Sequence, residues 1–205
     1  IRGGLGLRAA DLAWVSAAAA AVFVLGLVDD FRELGPRVKL AAQLLAAMAV
    51  AVLVPEARLS VLGSSAAVRI LLTVLWIVAL TNAFNFLDNM DGLAAGVAAV
   101  ASALLAAIAL TEGRVLMAAW FLAMLGALGG FLVFNVPPAS IFLGDAGSLF
   151  VGFLMAVGST LFTYETEPDS LRPLAVPLLV FGVPLFDAVT VMGIRLREGR
   201  PLSTG

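Results

Sequence analysis

The 205-residue chain is 62% hydrophobic and 13% charged, with a mean hydropathy of +1.09, which leaves too little polar surface for a soluble globule of this size. Its net charge of -2 gives no electrostatic basis for binding nucleic acid. With neither Cys nor His, the stretch excludes disulfides and thiolate- or imidazole-ligated metals.

Divided at its charges and turn residues, the chain yields seven apolar runs of roughly 15 to 22 residues, close to what a helix needs to cross about 30 Å of hydrocarbon. They lie at about 12–28, 38–54, 70–87, 92–111, 115–134, 148–164 and 173–195. No segment alternates polar and apolar residues as barrel strands do, and a lipid-exposed backbone must satisfy its own hydrogen bonds. The expected fold is all-α, a polytopic transmembrane bundle of about seven helices forming one domain over residues 1–205. The first run is not read as a signal peptide, because later runs are as long and apolar. The chain starts at Ile1 rather than Met and ends in the polar stretch REGRPLSTG, so a fragment truncated at both ends is expected.

Three polar breaks interrupt the runs. The first, GLVDDFRELGPRVKLAAQ (26–43), ends one helix in Asp29 and Asp30 and begins the next with Lys39 and Gln43, four apart and so on one face. A charged interfacial turn is the plain reading. Two acids at a helix C-terminus nevertheless oppose the macrodipole and need a cation, a metal or a proton nearby.

In the second break, TNAFNFLDNMDGLAAG (81–96), helical spacing places Asn82, Asn85 and Asn89 in one stripe, with Asp88 and Asp91 on an adjacent one. Asp91 can serve as N-cap of the following helix, and Gly92 and Gly96 can permit close helix contact. Capping accounts for one Asp and for no Asn, whereas polar side chains at membrane depth usually face a cavity and mark function.

In the third, FNVPPASIFLGDAGSLFVGF (134–153), Pro137 and Pro138 stop a helix, Gly144 and Gly147 free the backbone around Asp145, and Ser148 can cap the next helix. A capped turn is one reading. The other is a divalent cation holding phosphate, the carboxylate taking the metal and the helix N-terminus the anion.

Alternating helices put all three breaks, and Asn135, on one face, with the more ordinary connections PEARLSVLGSSAAVR, TEGR and YETEPDSLR on the other. Basic residues do not orient the chain: Arg32, Arg37, Lys39, Arg195, Arg197 and Arg200 on the Asp-rich face balance Arg2, Arg8, Arg58, Arg69, Arg114 and Arg172 opposite. Five carboxylates and Gly-freed helix starts on one face describe a hard-cation site for a diphosphate at the membrane surface.

In order and spacing the three motifs resemble the cytoplasmic signatures of the polyprenyl-phosphate N-acetylhexosamine-1-phosphate transferases, over about residues 20 to 200. Their wording looks closer to the GlcNAc-1-phosphate branch than to the phospho-MurNAc-pentapeptide branch. The resemblance implies Mg-dependent transfer, with Mn able to stand in, of a sugar 1-phosphate from a UDP-N-acetylhexosamine to polyprenyl (undecaprenyl) phosphate, releasing UMP. It implies Asp145 as metal ligand and Asp29 and Asp30 as the paired acids of the lipid phosphate, Asp29 taking or positioning its proton. By the same resemblance Asp88 would belong to the metal and phosphate network, Lys39 would meet phosphate charge, and Asn85, Asp91, Asn135 and Phe142 would line the nucleotide site, Phe142 against uracil.

It further implies a bacterial or archaeal plasma-membrane protein with a cytoplasmic active site, a homodimer as one assembly, and a His-rich basic loop within roughly 5 to 20 residues after Gly205. Asp187, inside the last apolar run, has no assigned role. A proton-coupled transporter would place its acids near the midplane, and a CDP-alcohol phosphotransferase would need a signature that DGLAAG does not meet.

Overall fold

The computed structural model describes residues 8–59, 65–163 and 172–199. The expected connections at 1–7, 60–64 and 164–171 and the polar end at 200–205 lie outside the described residues. The described residues form eight α-helices and no strand: α1 (Ala9–Phe31), α2 (Pro36–Leu53), α3 (Ala66–Leu87), α4 (Leu93–Thr111), α5 (Val115–Asn135), α6 (Gly144–Thr163), α7 (Arg172–Val180) and α8 (Gly182–Arg197). A 3₁₀ turn at Pro55–Ala57 follows α2. The first six helices are each at least 18 residues long and apolar enough to cross a membrane.

The seventh expected run is not one helix. It breaks at Phe181 between α7 and α8, because Pro184 lacks the N–H that a continuous helix would donate to the Val180 carbonyl, whereas Pro177 is carried inside α7. The break turns Phe181 fully inward, edge-on to Trp76 and Phe84 at centroid distances of 6.3 and 6.2 Å.

Helix α6 is the centre of the bundle, buried along most of its length and packed chiefly against α1 and α3. Its interior hydroxyls are satisfied locally: Ser159 accepts from Trp76 Nε1 at 2.9 Å and donates to the Ala156 carbonyl at 2.7 Å. A hydrogen-bonded hydroxyl of this kind can sit inside a membrane bundle at little cost. Close approach of α1 depends on Gly26, where an added Cβ would lie 2.4 Å from the Asp145 carbonyl oxygen and 2.6 Å from the Ala146 backbone.

All three polar breaks come together at one end of the bundle. Side chains from α1, α2, α3 and α6 bond one another there, and Arg195 of α8 lies over the Phe86 ring, 5.9 Å from its centroid. At the other end Arg114 stacks on Phe162 at 5.1 Å and pairs with Glu112 at 3.0 Å.

Candidate active site

The site is built where the ends of α1 and α3 meet the start of α6. Lys39, in the first turn of α2, donates to Asp29 Oδ2 at 2.8 Å and to Asp145 Oδ2 at 2.9 Å. Its ammonium is the cation that the acids ending α1 require, and it joins the first break to the third. The other Asp29 oxygen accepts the Leu34 N–H at 2.6 Å. Four residues beyond Lys39, Gln43 accepts from Asn82 at 2.6 Å, so the shared helical face of Lys39 and Gln43 is turned wholly toward the polar end.

Asp30 behaves differently from its neighbour. Its two oxygens accept the backbone N–H groups of Asp145 and Ala146 at 2.8 and 3.1 Å, while the Gly147 N–H bonds the Leu143 carbonyl at 3.1 Å. Of the donors that a helix start leaves orphaned, two are thus satisfied by a carboxylate brought from α1.

This supply of caps explains why α6 begins at Gly144, four residues before the expected start. Ser148, expected as a cap, is instead buried inside the helix, where its Oγ accepts from Asn85 Nδ2 at 2.9 Å; the same Asn85 nitrogen donates to Asp145 Oδ1 at 2.9 Å. The amides expected to face a phosphate are occupied by Asp30.

The second break also departs from expectation. α3 ends at Leu87, so Asp88 and Asn89 lie in a turn and only Asn82 and Asn85 share a helical stripe. The N-cap of α4 is Gly92, not Asp91; Asp91 reaches across to accept the Ala139 N–H at 3.1 Å. Gly96 has open space where close contact was expected.

Asn135 is buried, with Oδ1 accepting from the Gly92 N–H at 3.0 Å and Nδ2 donating to the Ile141 carbonyl at 2.8 Å. Asp91 and Asn135 therefore brace the 136–143 loop against the start of α4, and that loop presents Phe142 to solvent, 73% exposed. Asp29, Asp30, Lys39, Asn85, Asp88 and Asp145 form one cluster; Asp91 and Asn135 hold the adjoining loop that carries Phe142. Asp187 is half-buried on α8, with one carboxylate oxygen lacking a hydrogen-bond partner among the described residues.

The cluster holds four carboxylates and one ammonium, which pairs with Asp29 and Asp145, and Asp88 bears the cost: burial, and then the charges of Asp145 and Asp30, push its pKa up to about 6. Among the described residues no three acidic side chains converge into a metal-holding group. Asp29 and Asp145 converge as a pair on Lys39. This donor set suits a hard cation that takes one or two carboxylates and completes its shell with water and phosphate oxygens, and does not suit a closed protein cage.

The profile described as Glycosyl transferase family 4 matches residues 12–163, which takes in the whole acidic cluster. The chain belongs to glycosyl transferase family 4. Within the family it is similar to the "Probable undecaprenyl-phosphate N-acetylglucosaminyl 1-phosphate transferase" of Bacillus subtilis, 36% identical over 195 residues, covering 89% of this chain and 52% of that protein. It is also similar to phospho-N-acetylmuramoyl-pentapeptide-transferases, 36% identical over 162 residues in a Geobacillus species (69% of this chain, 49% of the relative) and 39% over 149 residues in Anoxybacillus flavithermus (63% and 45%). The chain spans about half the length of the curated relatives it matches, or less. As a glycosyl transferase family 4 chain with six helices of spanning length, it is an integral membrane protein.

Proposed function

We infer that the protein transfers a sugar 1-phosphate, GlcNAc-1-phosphate as the favoured case, from a UDP-sugar to a polyprenyl phosphate in the membrane, releasing UMP. A phosphate oxygen of the lipid attacks the β-phosphorus; the bond from that phosphorus to the bridging oxygen breaks, and UMP leaves with the oxygen. The observation that carries this reading is the acidic cluster at one end of an apolar bundle, with Asp29 and Asp145 on Lys39 and Asp88 in the field of Asp145 and Asp30. There a prenyl chain can stay in lipid while the nucleotide stays in water.

Phosphoryl transfer asks a protein mainly for positioning and charge neutralisation. Asp145, held by Asn85 and Lys39, and Asp29 are the residues to hold Mg, with Mn as a substitute. When bound, the ion supplies neutralisation of the donor diphosphate. Lys39 carries the one ammonium in direct contact with the cluster and is placed to meet phosphate charge. Asp29, paired with it, positions the lipid phosphate. Phe142 offers an exposed ring for the uracil, on a loop that Asp91 and Asn135 hold in place.

The GlcNAc-1-phosphate branch is favoured because the Bacillus subtilis relative aligns over 89% of the chain, against 69% and 63% for the two pentapeptide transferases. A transporter is disfavoured because the acids gather at one end of the helices. The test is UMP release by membranes containing the protein, supplied with UDP-GlcNAc and undecaprenyl phosphate. Release that needs both substrates and stops on chelation supports the reading; UDP-GlcNAc turnover without the lipid phosphate overturns it.

A further inference from the structure

The two adjacent acids of the first break have different partners. Asp29 faces Lys39, 2.8 Å away, whereas Asp30 pairs with no cation among the described residues and spends both oxygens on the α6 backbone, at 2.8 Å to the Asp145 N–H and 3.1 Å to the Ala146 N–H. Three features are arranged around this contact. Gly26 lies one helical turn before Asp30 on the same face of α1, and an added Cβ there would strike the Asp145 and Ala146 backbone at 2.4 to 2.6 Å. Gly144 has a φ of +66°, and a Cβ on it would stand 3.0 Å from Asp30 Oδ2. Asp145, the residue capped, is the one whose side chain meets Lys39 and Asn85.

We propose that Asp30 is a positioning residue: with Gly26 it clamps the first turn of α6 onto α1 and so sets where the Asp145 carboxylate stands. The adjacent acids then divide the work. Asp29 acts at the cluster through Lys39, and Asp30 acts through the backbone of Asp145. A charged acceptor bridging two first-turn amides also complements the positive end of the α6 dipole. Because those amides are taken, the α6 N-terminus is not a phosphate site; phosphate meets side chains instead. The consequence for transfer rests on the function proposed above, while the clamp itself does not.

The test is amide hydrogen exchange of the full-length protein in nanodiscs, with UMP release measured in parallel. First-turn amides of a helix ordinarily exchange fast, but those of Asp145 and Ala146 are expected to be protected in the wild type. Asp30→Ala should speed exchange at these two amides by about tenfold or more and leave 149–163 unchanged. Asp30→Asn, which keeps a neutral acceptor, should retain part of the protection and recover UMP release by about tenfold over Asp30→Ala.

Gly26→Ala keeps every carboxylate, and pushing α1 off α6 should raise exchange at the same amides even if Asp30→Ala does not fold. Wild-type protection in Asp30→Asn and Gly26→Ala would overturn the clamp. So would an Asn variant as inactive as the Ala variant with its protection intact, since Asp30 would then act through its charge. Protection lost as expected in a protein that releases no UMP would leave the clamp standing and remove the proposed function.

Discussion

Replacing Lys39 by Met keeps the aliphatic stem and deletes the ammonium that Asp29 and Asp145 share. Two charge-assisted hydrogen bonds, at 2.8 and 2.9 Å, are lost together. Each contributes about 1.5–3 kcal/mol when well formed. The three side chains are 25%, 10% and 28% exposed, so water screens part of the effect and the low end applies, about 2–3 kcal/mol in total. For a chain of this size that is a fall in Tm of about 5–10 °C. The assay is thermal unfolding in detergent with a chelator present, then with Mg added. Lys39→Met should unfold earlier in chelator and gain more from Mg than the wild type does, because the ion replaces a missing positive charge. A Tm within about 1 °C of wild type in chelator would show that the ammonium does not hold the cluster together.

Asp145→Asn removes one of the two carboxylates that meet at Lys39 and should nearly abolish UMP release; wild-type release at ordinary Mg concentrations would refute the metal assignment. Asp88 yields a pH dependence. Its folded pKa of about 6 lies above the ordinary 3.8, so folding favours its protonated form. That stabilisation is complete below about pH 3.8 and is lost as pH rises through about 6. In chelator, Tm should therefore fall across that window and level off above it, and Asp88→Asn should lose this component; an unchanged pH profile in the variant would contradict the assignment. For orientation, a cysteine at Glu33, between α1 and α2, should resist an impermeant thiol reagent applied outside cells, and one at Thr111, at the end of α4, should react. The reverse pattern would put the site on the outer face.

What was legible in the sequence follows from what each signal depends on. Six helices could be read because spanning length and apolarity are properties of a segment alone. The break at Phe181 is not visible in the sequence pattern because its cause, Pro184, sits inside a run whose hydropathy does not change. The four-residue spacing of Lys39 and Gln43 announced a shared polar face, and the structure places both side chains there. The start of α6 was misplaced because its cap is not local: Asp30 lies 115 residues away from Asp145, and no window around Ser148 contains it. The same holds for Asn135. Its hydrogen bond from the Gly92 N–H becomes visible only when α4 and α5 are packed together, whereas its other partner, Ile141, lies six residues away in the loop that follows α5.

The most direct test of the proposed chemistry follows the β-phosphorus. The full-length protein would be given UDP-GlcNAc labelled at the β-phosphate, undecaprenyl phosphate and Mg, and the products separated into lipid and aqueous fractions. Attack at the β-phosphorus predicts that the label moves into the lipid fraction in step with the appearance of unlabelled UMP, and that Asp145→Asn does neither. Label remaining in the aqueous fraction as UDP while sugar enters the lipid would mean that the bond broken lies between sugar and phosphate, and would contradict the account.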